Sequence, residues 1–228
     1  MLASAITRPP GPAVGRGPII PGIDPERIVR LTVDQYAAMI PAGVIAEGAP
    51  IELVNGVMRW KNRAAAGEPI KTIGKRHAAT VIRLHTLLTL LLQDVDCFVQ
   101  SQSPVSLSEI DEPEPDVCVV SGSIDDERER HPTPDELVVV IEVADSSVAD
   151  DRSEKLQAYA AAGVSHYWIV NLVAQQIEVY QGPDVDAAQY ATRVDYKDGE
   201  TISISEAIRK AVLRGKSIFE GWLKIGRS

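Results

Sequence analysis

The chain has 228 residues, enough for one domain with a sizeable core, or one domain plus an extension. Apolar residues make up 45% and charged residues 24%, an ordinary globular mix that excludes disordered, collagenous and membrane-spanning compositions. The formal net charge of −9 argues against indiscriminate nucleic-acid binding, yet the whole excess lies between Glu109 and Glu136, while residues 59–83 carry a local +6.

No stretch approaches the uninterrupted apolar length of a membrane span, since Ala78 to Leu92 is broken by Arg83 and His85. The first residues lack the compact apolar run of a secretion signal, so the expectation is a cytoplasmic protein with no membrane partner. Cys97 and Cys118 lie 21 positions apart with no CxxC, a pattern of reduced thiols rather than a disulfide framework or a zinc site.

Residues 1–28 hold six prolines and four glycines without periodicity and read as an extended arm, leaving 29–228 as the folded domain. Thr32 and Gln35 match a capping box, which predicts a short helix ending near Pro41 to Gly43. Asn55-Gly56 sits between two strand-like runs and predicts a hairpin with a type I′ turn. Lys75 to Gln93 spaces its apolar residues as a helix does. Phe98 to Leu107, Pro115 to Val120 and Leu137 to Val143 read as strands, the last apolar enough to be covered on both faces. Ser147 to Asp150 offers a second capping box before a helix that Gly163 would close. His166 to Asn171, Gln175 to Gln181 and Gln189 to Tyr196 follow as strands, and Ile208 to Leu223 as a basic, partly helical tail. This order predicts an α+β fold with a mixed sheet flanked by helices.

The motifs GxxxxGK(S/T), GxSxG, HExxH and GxGxxG are absent, so phosphate-loop, hydrolase, zincin and dinucleotide-binding readings have no support. Four scattered histidines receive no role. What stands out is Glu142, a carboxylate inside Val138-Val-Val-Ile141 and Val143. Burying it unpaired would cost several kcal/mol, roughly a small domain's net stability, so a cation or a proton must accompany it. Asp116, after Pro115, opens the next apolar strand. If the two strands pair, both carboxylates converge on one divalent cation, and oxygen ligands suit Mg²⁺ or Mn²⁺ better than zinc. Lys155 lies thirteen residues beyond Glu142 on the following helix, where its ammonium could position a water or stabilise developing charge. The plain alternatives are a structural salt bridge for Glu142, a turn residue for Asp116, and a surface ion pair with Asp151 for Lys155. Arg59, Lys61, Arg63, Lys71, Lys75, Arg76 and Arg83 form a grouping that could meet a polyanion, or a solvated surface.

Glu52-Leu-Val-Asn-Gly56, Pro115-Asp116-Val, Val140-Ile-Glu142-Val with Ser146 and Ser147, Asp151-Arg-x-x-Lys155-Leu, Tyr159-Ala-x-x-Gly163-Val and Tyr167-Trp-Ile-Val170 together resemble the Uma2 family of restriction-endonuclease-like proteins. The resemblance runs from about Thr32 to Tyr180 and leaves out the arm and the C-terminal tail. It implies a branch of the PD-(D/E)xK nuclease superfamily, with a restriction-endonuclease-like core whose metal-dependent members cleave phosphodiesters. Asp116 and Glu142 are then metal ligands. The superfamily's usual lysine, two residues after the second acid, is here Ala144, and its place would be taken by Lys155. Glu52 looks like the family's additional acid and could complete the metal shell directly or through water.

The leading expectation is therefore a Mg²⁺-dependent endonuclease with Glu52, Asp116, Glu142 and Lys155 catalytic. Its partner would be nucleic acid, DNA first, contacted by Arg59, Lys61, Arg63, Lys71, Lys75 and Arg76. A homodimer would present two sites to two strands. The competing expectation is a non-catalytic oligomeric or regulatory protein that retains a nuclease-like fold. Geometry separates the two: Asp116, Glu142 and Lys155 converging in one cleft bordered by the basic segment favours the enzyme, and a cleft filled by the acidic loop or the arm favours the other.

Overall fold

A computed structural model describes residues 27–61, 74–125, 130–145, 147–197, 199–200 and 202, and the backbone of 216–217 and 224–225. Nearly all of the arm expected over 1–28 lies outside the described residues. Helix α1 (Val33–Met39) starts as its sequence requires, because Thr32 accepts from the Gln35 amide while the Gln35 side chain accepts from the Thr32 amide. The helix ends two residues before Pro41, whose missing N–H and restricted predecessor do not suit continued helix.

Strands β1 (Ile51–Val54) and β2 (Val57–Trp60) form the expected hairpin as a separate two-stranded sheet. Asn55 and Gly56 both take positive φ, +52° and +68°, as a type I′ turn demands. Its register sets Glu52 opposite Arg59, so these two side chains share one face. The other edge of β1 is covered by the acidic loop, where Leu53 and Glu112 exchange backbone hydrogen bonds.

The main sheet has six strands in the order β3 (Cys97–Gln100), β4 (Val117–Ser121), β5 (Leu137–Ala144), β6 (His166–Asn171), β7 (Gln176–Asp184) and β8 (Gln189–Tyr196). Only β5 and β6 run parallel. Their crossover carries three consecutive helical segments: α3 (Val148–Asp150), a π-helical turn (Asp151–Lys155) and α4 (Leu156–Ala161). Strand alternation gives the sheet two apolar faces. Helix α2 (Lys75–Leu92) covers one, packing Val81, Leu84, Leu88 and Leu92 against Val117, Val119, Val139, Ile141, Val143 and Trp168. The crossover covers the other, with Ala158, Tyr159 and Val164 against Cys118, Val120, Val140, Tyr167 and Ile169. The strand Leu137–Ala144 is buried along its whole length, as its apolar run predicts. Neither Cys97 nor Cys118 forms a disulfide among the described residues. Among the described residues no helix is long and apolar enough to cross a membrane.

Three local expectations need correction. The strand predicted over Phe98 to Leu107 stops at Gln100, because Gln102 turns into the left-handed region at φ +51° and Pro104 has no N–H to pair. Ser147 does not cap a helix with its side chain. Its hydroxyl donates instead to Asp151 at 2.7 Å, and the chain passes through the π-helical turn before ordinary α-helix resumes. In the tail expected to be partly helical, Lys216–Ser217 instead pairs antiparallel with Lys224–Ile225 as a short β9–β10 ladder. The rest of that tail lies outside the described residues.

Gly56 is tightly constrained: a Cβ built there would stand 2.5 Å from the Arg30 Cβ and 3.0 Å from the Leu31 carbonyl oxygen, at a φ that L side chains avoid. Gly56→Ala is expected to lower stability by about 1–3 kcal/mol, read as a fall in the urea midpoint with an unchanged slope. An unchanged midpoint would mean that the hairpin is free to shift away from Arg30.

Candidate active site

Alternation on β5 sends Val139, Ile141 and Val143 to the face covered by α2, and Val140, Glu142 and Ala144 to the face covered by the crossover. Glu142 thus enters the protein interior at 3% exposure. Two donors from the crossover meet its Oε1: the Lys155 ammonium at 3.0 Å and the Tyr159 hydroxyl at 3.1 Å. Lys155 also reaches Glu52 Oε2 at 3.3 Å, so the hairpin and the central strand share one ammonium. Glu52 in turn accepts from the backbone amide of Glu114 at 3.2 Å.

Asp116 precedes β4, whose first residue, Val117, pairs with Ile141. One step back along the antiparallel register is Glu142, so the two acids end up on neighbouring segments facing the same way. Asp116 Oδ2 accepts from the Val143 amide at 2.8 Å and is joined to His77 Nε2 at 3.1 Å. His77 comes from the first turn of α2. The site is therefore assembled from the hairpin, two sheet strands, the N-terminal end of α2 and the π-helical turn.

That turn is held on both sides. Arg152 makes two hydrogen bonds to Glu178, a fully buried carboxylate of β7 that also accepts from Asn171 and Tyr180. These bonds outweigh burial and hold the Glu178 carboxyl at about 2. On the opposite flank Arg59 of β2 pairs with Glu154 at 2.8 Å and Asp150 at 3.9 Å. Extra width in a π-helical turn is a recurrent feature of functional sites, and here it falls on the residue pair Asp151 and Lys155.

The electrostatic balance is uneven. Four carboxylates, those of Glu52, Asp116, Glu142 and Asp151, act on one ammonium. Burial opposes the charged form of Lys155, but the four acids overcome it and raise its pKa well above the usual lysine range. The proton deficit falls on the acids. Burial, with Asp116, Asp151 and Glu52 adding to it against Lys155, pushes the Glu142 carboxyl up to about 8. Burial likewise lifts Asp151 to about 6 against the pull of Lys155 and the Ser147 hydroxyl. Asp116 goes the other way, because His77, Lys155 and the Val143 amide together outweigh its burial. For His77, burial works against the imidazolium, but the Asp116 hydrogen bond and the nearby acids raise its pKa overall.

This donor set suits a hard divalent cation. Carboxylates exceed cations, Asp116 immediately precedes the strand that pairs with that of Glu142, and Mg²⁺ is commonly held by one or two carboxylates with water completing its shell. Among the described residues, no three His, Cys, Asp or Glu side chains already form a ready-made ligand cluster. Asp116 and Glu142 are the carboxylates that could hold such a cation, with water completing its shell.

The expected nucleic-acid contacts divide into three groups. Arg59 is committed to Glu154 and Asp150, and Lys61 to Glu114, so both are neutralised inside the molecule. Lys75 and Arg76 are exposed at the start of α2, with Arg76 donating to the Leu172 carbonyl at 3.1 Å. Arg63 and Lys71 lie outside the described residues. Three residues at the site carry no site role from the sequence: His77, counted among scattered histidines, Asp151, taken only as an ion-pair partner of Lys155, and Tyr159, quoted only in a family motif. The spacing of Asp151, Lys155 and Tyr159, four apart each time, places them on one helix face and could have revealed two of them.

A buried carboxyl whose pKa is raised destabilises the fold where the unfolded chain would be ionised. Unfolded glutamate releases its proton near about 4.3, and folded Glu142 holds it to about 8, so this group's contribution to stability falls as pH rises between those values. In metal-free buffer Glu142→Gln is expected to stabilise the protein at pH 8 by on the order of 1 kcal/mol, with the gain shrinking toward pH 5. Thermal unfolding in EDTA at the two pH values checks this. A variant less stable than the wild type at pH 8 would show that Glu142 contributes more as an ion-pair partner than its desolvation costs.

Comparison with known proteins gives this geometry a context. No curated protein matches the chain. Among solved structures, the chain is similar to one described as "a putative nuclease belonging to DUF820" from Anabaena variabilis ATCC 29413, at 12% identity and a TM-score of 0.54, covering 78% of this chain and 90% of that one. At that identity the likeness establishes a shared fold. A model of the Uma2 family, described as "Putative restriction endonuclease", matches residues 46–214, a span that includes Glu52, Asp116, Glu142 and Lys155. The chain belongs to the Uma2 family.

Proposed function

We propose that this protein hydrolyses phosphodiester bonds in nucleic acid, DNA first, using Mg²⁺ or Mn²⁺ held by Asp116 and Glu142. The observation that carries the reading is the convergence of Glu142 and Glu52 on the Lys155 ammonium, at 3.0 Å and 3.3 Å, with Asp116 hydrogen-bonded to the amide next to Glu142. When bound, the cation would polarise a phosphate oxygen and make a coordinated water more acidic. The chain's own residues have separable tasks. Lys155 supplies a fixed positive charge for the attacking water or the developing phosphorane charge. Glu52 holds Lys155 from the hairpin side, and Tyr159 holds Glu142. The exposed Lys75 and Arg76 stand beside His77 on the first turn of α2, where they would meet phosphates. A homodimer, which would place two such sites on a duplex, is part of the same reading.

The competing reading, a non-catalytic protein on the same fold, draws on one specific observation. The acidic loop packs along the hairpin with Glu114 donating to Glu52, and its charge together with Glu154 neutralises Lys61 and Arg59. Nicking of plasmid and single-stranded DNA in Mg²⁺ or Mn²⁺ distinguishes the two. Under the enzyme reading, wild-type cleavage falls at least about 100-fold in Glu142→Ala and in Lys155→Ala, because each removes a group that acts on developing charge. Cleavage that persists in both variants, or none in the wild type on either substrate together with no metal-induced change in melting temperature, overturns it.

A further inference from the structure

We infer that His77 is a positioning residue of this site: it holds Asp116 by Oδ2 so that Oδ1 is the oxygen presented to the cation. The inference rests on the metal reading above and deepens it. Three observations support it. First, both hydrogen bonds to Asp116 fall on the same oxygen, the Val143 amide at 2.8 Å and His77 Nε2 at 3.1 Å. No hydrogen bond among the described residues reaches Oδ1. Two donors on one oxygen, one from the sheet and one from α2, fix both the position and the rotation of the carboxyl group.

Second, the other ring nitrogen of His77 is sealed away. Nδ1 is buried and has no hydrogen-bond partner. It can neither reach a substrate nor accept a proton from a water in the site, so His77 acts through Asp116 alone. Since Nε2 faces a carboxylate oxygen, which can only accept, that nitrogen donates the hydrogen of the contact. Third, the backbone fixes where His77 stands. It lies in the first turn of α2, a helix anchored at depth by Leu84, Leu88 and Leu92 in the sheet's core, so its reach to Asp116 depends on the fold and not on a loop.

A residue of this kind governs how well the cation is held. Partners of metal ligands change affinity by about 10–100-fold when removed. The test is Mn²⁺ binding to the full chain, followed by titration calorimetry and by electron paramagnetic resonance of free Mn²⁺, for wild type, His77→Ala, His77→Gln and Glu142→Gln. Glutamine places its amide nitrogen where Nε2 stands and can donate to Asp116, whereas alanine cannot. Mn²⁺ affinity is expected to fall about 10–100-fold in His77→Ala and to return to within a few-fold of wild type in His77→Gln. Circular dichroism establishes that both variants are folded at the temperature of the titration.

Equal affinity in His77→Ala and wild type would overturn the inference while leaving the metal reading intact. Affinity lost alike in the alanine and glutamine variants would also overturn it, because the ring's bulk and not its donated hydrogen would then be what matters. A wild type that binds no Mn²⁺, or binds it unchanged in Glu142→Gln, would overturn the metal reading itself and this inference with it.

Discussion

Everything in this structure that bears on function depends on placing a carboxylate in the middle of an apolar sheet. Glu142 sits on the third of six strands with hydrophobic residues on either side along the chain, and the strand alone offers it no counter-charge. The cost of that burial is met by the crossover helix. Its π-helical turn brings Lys155 to Glu142 while Arg152 reaches Glu178 on β7. Glu142, Ile169 and Glu178 lie in register across β5, β6 and β7, so one short helical segment answers two carboxylates of the same row. Tyrosine hydroxyls complete the arrangement: Tyr159 to Glu142, Tyr180 to Glu178 and Tyr167 to the Asp151 carbonyl. Their rings pack together, with Tyr159 and Tyr167 centroids 5.0 Å apart, so the polar tips stay aimed while the bodies fill the core.

The two ends of that row differ in a way that separates structure from chemistry. Glu178 is over-provided with donors and stays ionised well below the usual carboxylate range. Glu142 is under-provided, sharing a single ammonium with Glu52 and lying near two further acids. A structural salt bridge is built like the first. A site that gains from an added cation is built like the second, because relieving carboxylate repulsion is then available only on binding. Asp151 shows the same surplus, its carboxyl held up to about 6 beside Lys155.

The hairpin closes the site by charge complementarity. Glu52 and Arg59 face each other across β1 and β2, and on the helical turn they meet Lys155 and Glu154, each finding its opposite sign. The acidic loop along the far edge of the hairpin supplies Glu114 to Lys61. Two of the basic side chains of residues 59–83, Arg59 and Lys61, are thus paired within the molecule. Arg59 and Lys61 brace the hairpin, while Lys75 and Arg76 are exposed on the first turn of α2 next to His77.

The sequence alone determined the elements whose causes are local. The Thr32–Gln35 box, the Asn55-Gly56 turn, the periodicity of Lys75 to Leu92 and the apolar run of β5 each produced the structure they imply, since caps, positive φ and burial patterns act within a few residues. It also singled out Glu142, because a carboxylate in such a run is expensive wherever the strand goes. The π-helical turn at Asp151 was not legible, for it depends on what the segment packs against. Ser147 illustrates this: its sequence reads as a cap, but the buried Asp151 takes its hydroxyl. Tertiary structure alone decided the neighbours of Asp116. His77 lies 39 residues away in the chain and Val143 lies 27 away, and only the meeting of α2 with the β4–β5 pair joins them. Whether a basic residue is available to a ligand was likewise beyond sequence, because ion pairing is a contact between distant segments and composition records only the charges.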